Sequence, residues 1–127
     1  MATFLSEEFM TEATAALNDH AGFANAITNV DLDVQFITTE APEGEVQWHL
    51  DIADGAASMA RGTIDDADVT LTWSYETAVQ ISKGELNTQM AFMTGKVKVA
   101  GNMAKLMMNQ AVFSQFTAVM TGMDVEF

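Results

Sequence analysis

The chain has no cysteine, one proline, two histidines and only five basic residues among 127. Without cysteine there is no disulfide framework, no zinc–thiolate site and no thiol nucleophile. The single proline, Pro42, sits in Glu40-Ala41-Pro42-Glu43-Gly44, which reads as a loop between strands. Scarce base against 18 acids leaves a net charge of −13, which repels nucleic acid and anionic membrane surfaces over most of the protein. Fourteen of the acids fall in residues 1–68, where Arg61 is the only base. No basic, apolar leader is visible at Met1–Leu5, so a cytoplasmic location is expected. The longest uncharged stretch, 106–123, carries Asn109, Gln110, Ser114, Gln115, Thr117 and Thr121, too polar for a membrane span. An integral membrane protein is therefore not expected.

What is abundant is apolar: hydrophobic residues make up 49% of the chain. That suffices for one sizeable core, and the length fits a single domain over 1–127. A first helix is expected over 6–20, capped by Ser6, with Glu7 and Glu8 at its positive end and Gly22 stopping it. Strict alternation follows. Val30, Leu32, Val34 and Phe36 face inward, and Asp31, Asp33 and Gln35 face water. Val46, Trp48, Leu50 and Ile52 repeat the pattern, then Ala57, Met59 and Arg61 more weakly after an Asp54-Gly55 turn, then Val69, Leu71 and Trp73. Ser74 and Asn87 are candidate caps for two short helices ended by Gly84 and Gly95. Lys96–Val99 reads as a last strand, and Asn102 as the cap of a final helix over 103–121. Together these predict an α+β fold with a mostly antiparallel sheet and helices on one face.

The final helix is apolar nearly all round: Met103, Leu106 and Met107 mark one side, and Met108, Val112, Phe116, Val119 and Met120 a broadly opposite one. Such a helix needs cover on most sides. Seven of the ten methionines lie from Met90 onward. Flexible thioether side chains suit either an irregular core or a permissive binding wall. A buried homodimer interface accounts for the same pattern.

Catalytic signatures are missing. No nucleophile elbow, dinucleotide fingerprint or paired-histidine metal motif occurs. His20 falls at a helix end and His49 on a polar strand face, neither with a nucleophile in register. Asp65-Asp66-Ala67-Asp68 lacks the ligand spacing of a calcium loop. No enzyme activity, cofactor or metal is expected.

The run Gly84-Glu85-Leu86-Asn87-Thr88-Gln89-Met90-Ala91-Phe92-Met93-Thr94-Gly95-Lys96-Val97-Lys98-Val99-Ala100-Gly101-Asn102-Met103 closely resembles the sterol-carrier-protein family, and Asp68–Ser74 resembles the strand before it. Thr88 stands where that family usually has proline, a residue favoured at a first helical position. The first half of the chain resembles the family in element order only. The resemblance implies a five-stranded sheet with helices on one face, enclosing a hydrophobic tunnel for fatty acids, sterols or phospholipids, with no catalysis. Facing and resemblance together nominate Phe36, Trp48, Trp73, Met90, Met93, Met103, Leu106, Met107, Phe113, Phe116 and Met120 as lining. Lys96 and Lys98, alternating with valines, are candidate headgroup contacts. The expectation is a non-catalytic lipid carrier with an apolar small-molecule partner. The alternative is a dimeric accessory module whose C-terminal helix a partner buries, without ligand. Service to a separately encoded enzyme is a third possibility that the residues do not address.

Overall fold

Five strands form one sheet in the order β4-β3-β2-β5-β6 in the computed structural model, which describes residues 2–86 and 88–127 and only the backbone of Thr88 and Gln89. The strands are β2 (Leu32–Ala41), β3 (Gly44–Ala53), β4 (Ala56–Arg61), β5 (Val69–Ser74) and β6 (Val97–Gly101). All neighbours are antiparallel except β2 and β5, which run parallel. The expected alternation holds on the inner face, where Leu32, Val34, Phe36, Val46, Trp48, Leu50, Ile52, Val69, Leu71 and Trp73 are all buried. Asp54 and Gly55 both take positive φ, 54° and 76°, closing the β3–β4 hairpin.

Helix α1 (Glu7–Asp19) starts as its residues require. The Ser6 hydroxyl accepts the Phe9 N–H at 3.1 Å, and Glu7 and Glu8 occupy the first turn. Phe9, Met10, Ala13 and Leu17 form its buried stripe. Its polar residues also cap a sheet edge. Thr14 Oγ1 accepts the Met59 N–H at 2.8 Å, and Asn18 Oδ1 accepts the Ala57 N–H at 2.9 Å. These bonds occupy backbone groups of β4 that an edge strand otherwise leaves unpaired.

Gly22 does not stop this helix. The chain turns at His20, whose Nδ1 accepts the Phe23 N–H at 3.0 Å and so caps a second helix, α2 (Ala21–Ala26), with Gly22 inside it. His20 therefore serves as an N-cap as well as lying at the end of α1. Helix α3 (Tyr75–Ser82) follows β5 directly, with Ser74 accepting the Thr77 N–H at 3.2 Å and Gly84 beyond its end at φ 76°. Helix α4 spans Thr88–Met93, and its expected cap, Asn87, lies outside the described residues.

The single last helix is two. Helix α5 (Met103–Met108) is capped by Asn102, and α6 (Gln110–Gly122) begins after a break at Asn109, whose Nδ2 donates to the Lys105 carbonyl at 2.8 Å. Helix α6 packs among α1, α2 and α3 through Val112, Phe116, Val119 and Met120. No residue of α5 is buried. A short parallel pair, β1 (Ala2–Thr3) with β7 (Val125–Glu126), joins the two ends of the described chain. Two-residue strands leave no periodic trace in a sequence.

The outer face is not uniformly wet. Residues 62–68 run from β4 across that face to reach β5. Gln35, expected in water, is buried there: its Oε1 accepts the Ile64 N–H at 2.9 Å and its Nε2 donates to the Trp48 carbonyl at 3.0 Å. Asp68 ties this strap down. Its carboxylate accepts the Asp33 N–H at 2.9 Å and lies 3.1 Å from Lys105 Nζ, and its carbonyl accepts the Asn102 N–H at 2.7 Å. A Cβ at Gly101 would stand 2.5 Å from that carbonyl oxygen, and φ there is +106°, so glycine is required twice over.

Candidate functional site

Between the inner face of the sheet and helices α1, α3 and α6 lies an apolar cavity with about 30 Å³ of free space. Its floor is aromatic. Phe36 of β2 and Trp48 of β3, direct cross-strand partners, stack at 4.0 Å between ring centroids with 4° between their planes. Trp73 of β5 approaches Phe36 at 5.6 Å, and Phe116 of α6 stacks on it from above at 5.8 Å. Such contacts contribute beyond area burial.

Two buried indole N–H groups under an apolar cavity are a liability unless paired. Thr38 pairs both. It is fully buried, and its Oγ1 accepts the Trp73 Nε1–H at 2.9 Å and the Trp48 Nε1–H at 3.2 Å. One hydroxyl with two lone pairs thereby fixes both ring edges. Parallel pairing of β2 with β5 sets Thr38 beside Trp73, and the β2–β3 hairpin sets Trp48 opposite Phe36, two residues along the same face. Nothing in the sequence pattern singles out Thr38, since the alternation marks only that it faces inward.

Six of the eleven nominated lining residues come together here: Phe36, Trp48, Trp73, Phe113, Phe116 and Met120. Five do not. Met90, Met93, Met103 and Met107 are exposed, Met93 at 74%, and Leu106 is half-buried away from the cavity. Three of these, Met103, Leu106 and Met107, fall on α5 rather than α6, on the side a continuous helix would turn away from Phe116 and Met120. Met90 and Met93 lie on the open side of α4, whose buried contact is Ala91. The remaining walls are Phe4, Phe9, Leu71, Ala78, Ile81, Ser82 and Thr117. Leu71 was legible from its alternation with Trp73, and Ala78 and Ile81 from their helical spacing. Ser82 carried no signal.

Among the described residues no charged side chain lines the cavity. Lys98 is exposed on the opposite face of β6 from buried Val97, and Lys96 is exposed just before that strand. A second, open groove of about 520 Å³ beside Ala24, 28–31 and 53–55 includes Asp31 and Asp54, and its wall is more polar than apolar. Among the described residues no three His, Asp or Glu side chains converge to hold a metal ion. His49 Nδ1 lies 3.3 Å from the Gly62 carbonyl, away from the cavity.

Two perturbed carboxyls, Asp33 and Asp68, lie on the outer face. Asp33 and Asp51 are direct cross-strand partners. Burial, followed by the neighbouring Asp51 carboxyl and the charges of Asp68 and Asp31, pushes the Asp33 carboxyl up to about 6. Burial alone would also raise Asp68, but the Asp33 N–H and Lys105 hold it below the usual carboxylate value.

The profile of the SCP-2 sterol transfer family matches residues 12–114. Sterol carrier protein 2 of Rattus norvegicus is 33% identical over 78 residues, covering 61% of this chain and 14% of that protein. The chain spans between 13% and 17% of the length of the curated relatives it matches. A crystal structure of sterol carrier protein 2 superposes with a TM-score of 0.82 at 19% identity, over 95% of this chain and 99% of that one. The solution structure of palmitated SCP2L2 from Aedes aegypti superposes at 0.60 with 19% identity over the whole of both chains. At these identities the two structures establish a common fold. No helix among the described residues is long and apolar enough to cross a membrane.

Proposed function

The chain belongs to the SCP-2 sterol transfer family, and from that premise we propose that it binds and carries fatty acids, sterols or phospholipids without catalysis, in the space between the inner sheet face and α1, α3 and α6. The observation that carries this reading is an aromatic-floored cavity with no charged wall, in a family defined by sterol transfer. The Aedes aegypti neighbour, solved palmitated, lends support through the shared fold.

The cavity is small. Pockets for small ligands run to roughly 300 Å³ or more, against the 30 Å³ of free space here. Binding therefore requires the walls to part. Helix α6 is the wall placed to do so, because α5, which links it to the sheet, has no fully buried residue and packs on the core only through half-buried Leu106. Each methylene taken out of water contributes about 0.8 kcal/mol. A sixteen-carbon chain gains on the order of 10 kcal/mol, from which opening and several kcal/mol of association cost are subtracted. Micromolar affinity with broad selectivity is the expected result. Lys96 and Lys98 lie outside the cavity, so a headgroup reaches them only from its mouth. The protein works in the cytoplasm on this reading.

The test is titration of delipidated protein with a fluorescent long-chain fatty-acid analogue, competed by fatty acid, sterol and phospholipid. Saturable, competable binding near one site per chain is expected. Folded protein that binds none of them refutes the carrier reading.

A further inference from the structure

The cavity holds polar side-chain atoms at four lining residues, and three of those have their donors committed. The indoles of Trp48 and Trp73 donate to Thr38, and the Thr117 hydroxyl donates to the Phe113 carbonyl at 3.0 Å. The fourth is Ser82, the last residue of α3. Ser82 lines the cavity, is only 6% exposed, and its Oγ finds no hydrogen-bond partner among the described residues. A serine near a helix end ordinarily satisfies its hydroxyl on a backbone carbonyl of the previous turn. An unmatched buried hydroxyl is costly, and buried polar atoms left unpaired are rare enough to need a cause.

Resting on the lipid-carrying reading, we propose that Ser82 Oγ is the polar anchor of the cavity and that it selects ligands whose apolar body ends in a neutral hydroxyl. A serine hydroxyl can donate to such a group and accept from it. A carboxylate suits the position less well for two reasons visible in the structure. No cation lines the cavity to compensate its charge. Ser82 also lies in the last turn of α3, where carbonyl ends present partial negative charge. The adjacent Lys83 is turned away, its Nζ 5.1 Å over the Phe127 ring. A long-chain alcohol and a sterol share the required chemistry.

Displacement of the fluorescent fatty-acid probe from the delipidated 127-residue chain tests this with matched competitors. One pair is 1-hexadecanol and 1-chlorohexadecane; the other is a sterol and its 3-deoxy counterpart. Ser82→Ala is expected to weaken the hydroxyl member of at least one pair about tenfold, the size of one hydrogen bond, with its partner within twofold. The pair that responds identifies the chain alcohol or the sterol as the source. Palmitate at neutral pH should be affected less than the alcohol. The unliganded variant should melt at or above the wild-type temperature, because it loses an unpaired buried hydroxyl. Matched pairs that shift equally, or not at all, overturn the anchor while leaving the carrier reading intact. A clear fall in melting temperature also overturns it, since the hydroxyl would then have an internal partner. Displacement by no lipid, in folded protein, refutes both.

Discussion

Replacing Thr38 by valine changes almost no volume and removes the one acceptor that serves two indoles. The Trp73 and Trp48 N–H groups sit 2.9 Å and 3.2 Å from Oγ1 in a fully buried environment. Leaving a buried donor unpaired costs about 1–3 kcal/mol. The longer Trp48 bond should lie at the low end, and the added methyl returns part of the loss. A net destabilisation of about 2–3 kcal/mol is expected, a fall of roughly 10 °C in melting temperature for a domain of this size. Urea unfolding followed by both tryptophan emission and far-ultraviolet circular dichroism measures it. Thr38→Ser is the control, because it keeps the oxygen and loses one methyl, at about 1 kcal/mol. Valine within 0.5 kcal/mol of wild type, or serine as damaging as valine, would refute the shared-acceptor account.

Asp33→Asn tests the outer face. A carboxyl raised in the folded state to about 6 contributes most to stability below its unfolded value near 4, and that contribution is lost as pH rises through 6. The variant should therefore be more stable than wild type at pH 7.5 by about 1 kcal/mol, after discounting for solvent screening, and the difference should vanish by pH 4; a difference independent of pH would contradict the assignment. Dilute peroxide should convert Met93, Met107 and Met108 to sulfoxides first, without unfolding, while Met10, Met59 and Met120, all buried, stay unoxidised until the fold is lost. Peptide mass spectrometry with time reads that order directly. Helix α4 begins at Thr88, so Thr88→Pro should leave the melting temperature unchanged or raised, and a marked drop would count against that helix start.

Strands and caps were legible because each leaves a local signature. The period-two pattern of Leu32, Val34 and Phe36 and the side chains of Ser6, Ser74 and Asn102 need no knowledge of distant residues. What failed was every inference that assumed continuity or a uniform face. Asn109 breaks the last helix through a side-chain bond to the Lys105 carbonyl, and no composition rule marks an asparagine within an apolar run as a break. Gln35 looks like a solvent residue until a loop from twenty-seven positions later covers it and bonds to its amide. The cavity was legible to the extent that aromatic residues on inward strand positions converge. Phe4 and Ser82, outside any marked inward pattern, were not.

The methionine-rich second half invites a picture in which pliable thioethers shape the cavity, and the geometry argues for a different source of breadth. Of the methionines from Met90 onward, Met120 alone lines the cavity. Most of the other walls are rings and aliphatic residues, and those outside α6 are held chiefly by the sheet, by α1 and by α3. Stacked Phe36 and Trp48, with indoles clamped by Thr38, make a floor with little freedom to adapt. Adaptation must then come from the roof, and there the chain is built to yield. Helix α6 is joined through Asn109 to a helix that half-buries Leu106 alone among its apolar side chains and is held by Asp68 through one backbone hydrogen bond and one part-exposed ion pair. An exposed pair of this kind contributes about 1 kcal/mol or less, so α5 can shift at small cost when α6 lifts. On the carrier reading, a ligand is accepted when its apolar gain exceeds the cost of separating Phe116 and Met120 from that floor. That threshold depends on buried area rather than on shape, which is why chains and ring systems of similar area and the same end group should compete on nearly equal terms.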